Sequence, residues 1–355
     1  MRVGGVHCAR PAPGPRPAGP PVPSPVTATD SETPYADLGP DAVLDAVESV
    51  GPRCDGRLLQ LNSFENRVFQ LGLEDGSSCI AKFYRPGRWS DAAILEEHAF
   101  SLDLAGREIP VVPPLLLRGA TLHHHGRHRF ALFTRQGGRT PEIEQEPVLE
   151  RIGRFLGRIH AVGAEAGYAH RPPLEPRVFG IESRDFLLQG DWIPPELREA
   201  WSAVAELALQ GVRQAWESAG EPRMLRVHAD CHAGNLLWTD EGPHFVDFDD
   251  SRCAPAVQDL WMLLGGDPQD MRRQLAALLR GYEMFREFDP RELRLVEALR
   301  TLRLLHYSAW IARRWHDPAF PAAFPWFGGA RYWQDRILEL REQVALMQDP
   351  PLPDF

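Results

Sequence analysis

The chain has 355 residues, enough for one large or two moderate domains with a sizeable core, and apart from its 33 prolines its composition is that of an ordinary globular protein. A formal charge of −10 argues against a general binder of nucleic acid or anionic membrane. The cysteines, Cys8, Cys54, Cys79, Cys231 and Cys253, are odd in number and scattered, as free thiols in a reducing compartment would be.

The N-terminus lacks the apolar core of a secretory signal, and no uncharged apolar run approaches the ~20 residues of a membrane span. A cytoplasmic monomer with neither a nucleic-acid nor a membrane partner is therefore expected. Residues 1–33 are rich in Pro, Gly and Ala and nearly free of large aliphatics, which predicts a disordered tail.

The folded part should begin near Asp41, with an N-terminal lobe over 34–138 and a C-terminal lobe over 139–355. A short amphipathic helix is expected at 42–47. Three strands then follow at 58–61, 68–71 and 79–84, separated by the polar turn Asn62–Asn66 and a second turn at Glu74-Asp75-Gly76. Lys82 lies mid-strand among apolar neighbours, where a lysine is rare unless paired. Its functional reading is a nucleotide-phosphate ligand that pairs with a helix glutamate. The helix pattern Ile94–Leu102, with Leu95, Ala99 and Leu102 as its core positions, offers Glu96 and Glu97. The spacing does not separate them, and Glu96 is favoured because apolar residues stand three and four positions on.

Val111–Leu117 and Phe130–Phe133 read as two further strands that complete a five-stranded antiparallel sheet. His123, His124, His125 and His128 would then form a solvated turn between them. Gln136-Gly137-Gly138-Arg139 reads as a hinge. Beyond it the apolar spacing is helical, at 149–160, 196–217, 257–264, 270–286, 290–315 and 331–347.

The chemistry concentrates in residues 226–250, RVHADCHAGNLLWTDEGPHFVDFDD. Leu236–Trp238 and Phe245-Val246 read as two short strands around the turn Thr239–Pro243. Such a hairpin brings Asn235 and Asp247 together at one end, with Asp230 nearby. Two oxygen ligands and a spare carboxylate suit Mg²⁺, which takes few protein ligands and keeps positions for water and substrate phosphates. The spare carboxylate can orient an attacking hydroxyl and take its proton. An Asp and an Asn five residues apart, followed by a second Asp, is also the layout of a kinase catalytic loop. A zinc site is the rival, since His228, Asp230, Cys231, His232, His244 and Asp247 are all possible ligands, but no C-x-x-C or H-E-x-x-H accompanies them. No G-x-G-x-x-G is present, so the turn Asn62–Asn66, with its backbone N–H groups and the Ser63 hydroxyl, would have to meet the phosphates of a nucleotide.

The segments LNSFENRVFQ, AKFYRPGRW, ILEEHAF, RVHADCHAGNLLW, FVDFDD, PAVQDLWMLL, LRLLHYSAWIARRWHDPAF and FPWF resemble the protein-kinase-like superfamily of aminoglycoside phosphotransferases and choline kinases. More closely, they are similar to the bacterial stress response kinase A family of Ser/Thr protein kinases. The resemblance implies an α+β bilobal fold in which a five-stranded sheet lobe with one helix sits on a mainly helical lobe. It implies Asp230 as catalytic aspartate, Asn235 and Asp247 as Mg²⁺ ligands, with Asp247 shared between the catalytic and metal roles, and Lys82 and Ser63 at the ATP phosphates. Asp259 would brace the catalytic loop, and Val68 and Ala81 would hold adenine. The implied activity is ATP- and Mg-dependent phosphorylation of Ser/Thr on protein, including autophosphorylation. A kinase of a small hydroxylated metabolite or antibiotic shares the same residues, and a nucleotide-binding scaffold without turnover is the reading from another class. One position departs from the family pattern: Ala229 stands where glycine is usual, which strains the chain if φ there is positive.

Overall fold

The computed structural model describes residues 33–352, so the expected disordered tail lies outside the described residues except for Thr33. In chain order the first lobe carries α1 (Pro40–Ser49), β1 (Cys54–Leu61), β2 (Arg67–Leu73), β3 (Ser78–Tyr84), α2 (Asp91–Gly106), β4 (His123–His125) and β5 (His128–Thr134). The strands form one antiparallel sheet in the order β1-β2-β3-β5-β4. Alternation sends Ala81 and Phe83 to one face, where they are buried with Val43 and Val47 of α1, while Ile80 and Lys82 face the opposite side.

The fourth strand is not where the sequence pattern placed it. Val111–Leu117 makes only isolated bridges, Val111 with Phe245, Pro114 with Phe133 and Leu117 with Ala120. Pro110, Pro113 and Pro114 lack the N–H that a ladder needs. The edge is taken instead by His123–His125, which pairs with β5 through a tight turn, so these histidines are strand residues and His123 is buried. Helix α2 also turns a different face inward. Leu95, Ala99 and Leu102 are exposed, and the buried stripe is Ile94, Glu97, His98, Ser101 and Leu104. Tyr84 Oη and Thr121 Oγ1 satisfy the two nitrogens of His98, at 2.7 and 2.9 Å, which lets so polar a stripe be buried.

The second lobe is mainly helical. It contains α3 (Glu146–Gly163), α4 (Glu182–Gln189), α5 (Pro195–Ala219), β6 (Leu225–Val227), β7 (Leu236–Thr239), β8 (Gly242–Phe245), β9 (Arg252–Ala254), α6 (Gln258–Trp261), α7 (Pro268–Tyr282), α8 (Val296–Arg313), α9 (Ala319–Ala323) and α10 (Ala330–Leu346). The stretch 257–264 yields only the short α6, and 290–295 forms a 3-10 turn before α8. Helices α3 and α7 pack backbone to backbone: a Cβ on Gly153 would stand 2.0 Å from Leu278 O, and one on Gly281 1.9 Å from Glu150 O. The resulting scaffold carries two small antiparallel ladders, β6 with β9 and β7 with β8. All of 226–250 lies on or between these ladders.

Candidate active site

A cleft of about 870 Å³ lies between the lobes, lined by Ser63, Val68, Ile80, Lys82 and Glu97 from the first and by Asp230, Asn235, Leu237 and Asp247 from the second. The expected hairpin is present. Leu236 pairs with Phe245, and Val246 N donates to Asn235 O at 3.1 Å, which sets Asn235 beside Asp247. Asn235 Nδ2 donates to Asp230 O at 2.9 Å and approaches Asp230 Oδ2 at 3.3 Å. Its amide oxygen is thereby the atom left to a cation. Asp247 has a half-exposed side chain and a left-handed backbone, φ 63, and its Oδ1 accepts from Lys82 Nζ at 2.5 Å. Left-handed non-glycine residues persist only where the surroundings enforce them.

Lys82 is buried, as the mid-strand position requires of a paired lysine. Burial alone would lower its pKa, but Asp247, Asp249 and Glu97 outweigh it and hold the ammonium charged. Glu97, not Glu96, is the α2 carboxylate in this pocket. Burial raises its pKa against the pull of Arg171 and Lys82. Glu96 points elsewhere, its two oxygens accepting from Ala169 N and His170 N at 2.7 and 2.8 Å. The choice between them turned on which face of α2 is buried, and a buried face made of Glu, His and Ser is invisible to apolar periodicity. Ala81 is likewise corrected: it lies in the core under α1, and Val68, Ile80, Phe133 and Leu237 are the apolar residues of the cleft.

The backbone at His228-Ala229 is held from behind by Asp259, which is fully buried. Its Oδ2 accepts from His228 N at 2.8 Å and from His160 Nε2 at 2.9 Å, and its Oδ1 accepts from Ala229 N at 2.7 Å. Ala229 has φ 70, so the position does require the left-handed conformation that glycine adopts freely. Gln258 Nε2 closes the arrangement by donating to Ala229 O at 2.8 Å. Asp230 is thus aimed by two residues of α6.

Burial pushes the Asp230 carboxyl up, but the hydrogen bond from His232 and the Arg303 guanidinium more than reverse this and hold it below the usual carboxylate range. His232 accepts the Gly234 N–H at Nδ1, which leaves its Nε2 proton facing Asp230 Oδ2 at 3.4 Å. Arg303 Nη1 donates to Asp230 Oδ1 at 2.8 Å.

The loop Asn62–Asn66 closes over the cleft and is tied to the second lobe. Glu65 accepts from Trp310 Nε1 at 2.6 Å and from Arg314 Nη2 at 2.9 Å, and Asn66 Nδ2 donates to Asp249 Oδ2 at 3.0 Å. Arg85 adds a bond to Asp317 Oδ2 at 2.6 Å. Asp249 and Asp250 are each paired with Arg88, and Asp250 also with Arg252. The Glu65–Trp310, Glu65–Arg314, Arg85–Asp317 and Asp230–Arg303 pairs join residues far apart in the chain, and no spacing in the sequence predicts them.

The residues fit a hard divalent cation, since Asn235 and Asp247 offer oxygen only and Asp247 is open to the cleft. Zinc finds no support: among the described residues no three His, Cys, Asp or Glu side chains are grouped to hold a metal. The four described cysteines are free. No helix of the described residues is long and apolar enough to cross a membrane.

Comparison with known proteins agrees with this geometry. The chain is 44% identical over 318 residues to stress response kinase A of Escherichia coli K12, covering 90% of this chain and 96% of that protein. It is 42% identical over 323 residues to the serine/threonine protein kinase RdoA of Salmonella typhimurium, covering 91% and 98%. Among solved structures, amicoumacin kinase hAmiN in complex with AMP-PNP, Ca²⁺ and Ami superposes with a TM-score of 0.68 at 19% identity, over 89% of this chain and 95% of that one. A microcompartment-associated aminopropanol kinase gives 0.64 at 16%, over 87% and 96%. The description "phosphotransferase enzyme family" matches residues 57–296, two thirds of the length, and the chain belongs to that family.

Proposed function

We propose that this phosphotransferase is an ATP- and Mg-dependent Ser/Thr protein kinase, able also to phosphorylate itself. The observation that carries the reading is the convergence of Lys82, Asp230, Asn235 and Asp247 on one interlobe cleft, with Asp230 kept ionised. Mg²⁺ held by Asn235 and Asp247 would neutralise charge on the triphosphate. Adenine is received among Val68, Ile80, Phe133 and Leu237. Lys82 meets the phosphates from the sheet, and Ser63 and the backbone N–H groups of its loop meet them from above. Asp230 orients the acceptor hydroxyl for in-line attack and takes its proton.

The fold is shared with kinases named for small acceptors, so it carries no choice of acceptor. Two observations favour protein. The relatives at 42–44% identity are named stress response kinase A or serine/threonine protein kinase. In addition, Glu65, Asp249 and Asp250 are each paired with arginine, which ill suits a polycationic antibiotic. Incubation with γ-labelled ATP and Mg²⁺, followed by mapping of the labelled residue, tests the reading. Asp230→Asn should lower transfer by roughly 10²–10⁴-fold or more and spare nucleotide binding. Equal activity in that variant sinks the assignment.

A further inference from the structure

Arg303 stands where the acceptor must arrive. Its Nη1 donates to Asp230 Oδ1 at 2.8 Å, while the other carboxylate oxygen faces Asn235 Nδ2 at 3.3 Å and His232 Nε2 at 3.4 Å. Both oxygens therefore have protein donors, but Oδ1 has only Arg303 and keeps a second lone pair, so an acceptor hydroxyl that bonds it comes to rest beside the guanidinium. Asn235 and His232 are anchored within the loop, Asn235 through Asp230 O and His232 through Gly234 N. Arg303 comes from α8 and its side chain is about half exposed, at 48%. It is the donor most open to an incoming acceptor.

Its surroundings are also defined. Together with Trp261 and Tyr307, Arg303 forms the wall shared by the main cleft and a second cavity of about 440 Å³ whose other lining includes Arg300, Arg336, Glu339 and Glu342. Two of these arginines are already engaged, Arg300 with Glu297 at 2.9 Å and Arg336 with Glu339. The Arg303 bond to Asp230 leaves most of its five N–H donors uncommitted. Glu339 and Glu342 line the second cavity as well, so it is no general site for polyanions.

We propose that Arg303 reads the acceptor, selecting a hydroxyl presented next to a single carboxylate side chain: the hydroxyl takes the open lone pair of Asp230 Oδ1 while the uncommitted N–H donors of the guanidinium bind the carboxylate. This rests on the protein-kinase reading, in which the acceptor is a Ser or Thr with an Asp or Glu within two residues, a span of about 3.5–7 Å along an extended chain. In the transfer the hydroxyl oxygen bonds the γ-phosphorus and the bond from that phosphorus to the β–γ bridging oxygen breaks. ADP leaves with the electron pair, and the hydroxyl proton passes to Asp230. Arg303 is here a positioning and specificity residue, and a cationic flank is disfavoured because it would face the charge of the guanidinium.

The test uses the full chain with Mg·ATP and matched Ser peptides that differ only in one flanking residue, Asp, Asn or Lys, beside a small hydroxy acid and a small amino alcohol. The wild type should prefer the Asp peptide over the Asn peptide by about tenfold in kcat/KM, the value of one charge-assisted hydrogen bond. Arg303→Ala should bring that ratio close to one, and Arg303→Glu should turn the preference to the Lys peptide. Absence of an Asp preference in the wild type, or its survival in Arg303→Ala, overturns the proposal. A merely structural role for Arg303 would lower kcat for all peptides alike and leave the ratio unmoved. Turnover confined to the small alcohols would refute the protein acceptor, and the ratio of hydroxy acid to amino alcohol in the same variants would then decide Arg303 alone.

Discussion

Asp259→Asn tests whether the aim of Asp230, the proposed catalytic aspartate, is set from behind. The carboxylate is fully buried and accepts three hydrogen bonds, from His228 N, Ala229 N and His160 Nε2. In the asparagine variant one oxygen becomes an NH₂. Placed at the Oδ2 position it can still be met by His160, which changes tautomer, but it opposes the N–H of His228. Placed at Oδ1 it opposes the N–H of Ala229. Either way one buried backbone donor is left unpaired, at about 1–3 kcal/mol, and a charge-assisted bond weakens. Asp259→Ala abandons all three donors and should cost about 3–5 kcal/mol.

The functional effect follows from Ala229, whose φ of 70 costs about 1–2 kcal/mol against a right-handed residue and is held by the same carboxylate. Once Asp259 is weakened, Ala229 relaxes and Asp230, the next residue, swings with it. Urea unfolding should show a loss of about 2 kcal/mol for Asp259→Asn, and kcat should fall while nucleotide affinity holds. Introducing Ala229→Gly beside it should restore part of kcat, since glycine keeps the left-handed turn without help. If the two substitutions are additive in kcat, or if Asp259→Asn raises KM for ATP and leaves kcat alone, the reasoning is wrong.

Glu292 gives a prediction in pH. It is buried, accepts from Val257 N at 2.9 Å, and burial pushes its pKa up to about 7 from the usual 4.5. Between these values the folded state holds a proton that the unfolded state has released, so stability should fall as pH rises from 4.5 to 7, by about 3 kcal/mol, and level off above. Unfolding at pH 5 and pH 8 checks the sign, and Glu292→Gln should flatten the difference. The two glutamates of α2 should also separate: Glu97→Gln lowers kcat/KM for ATP by roughly tenfold through its loss beside Lys82, whereas Glu96→Gln leaves it unchanged. Equal effects in the two variants would return the role to Glu96.

How much of this site the amino-acid order displays depends on how each residue reaches it. Asp230, Asn235 and Asp247 are legible because one hairpin joins them: the turn chemistry at 239–243 fixes the loop, and the apolar pairs on either side fix the strands. Lys82 is legible because a charge among buried neighbours demands a partner. Ala229 is legible because alanine in place of the usual glycine matters only where φ is positive, and the backbone has that φ. The helix facing Lys82 failed the same treatment. Its buried stripe is polar and satisfied by Tyr84 and Thr121, which come from other elements, so periodicity chose the exposed leucines. Val111–Leu117 has the β propensity of a strand but not its ladder, because Pro113 and Pro114 interrupt it and Pro110 precedes it.

The residues that received no reading share a cause of another kind. Arg303 meets Asp230 across 73 residues of chain, and Trp310 meets Glu65 across 245. Both sit on α8, whose sequence carries a family resemblance but no spacing that says what either side chain meets. Such contacts exist only after α8 has packed against α4, α5 and α10, and no local rule of spacing encodes them. The phosphoryl-transfer apparatus must be held within fractions of an ångström, which favours a short contiguous loop braced from behind. On the reading of Arg303 proposed above, recognition of the acceptor falls to α8, from a distant part of the chain. The same helix ties Glu65 over the cleft through Trp310 and reaches Asp230 through Arg303. An acceptor bound by Arg303 would therefore touch the helix that also holds the loop Asn62–Asn66.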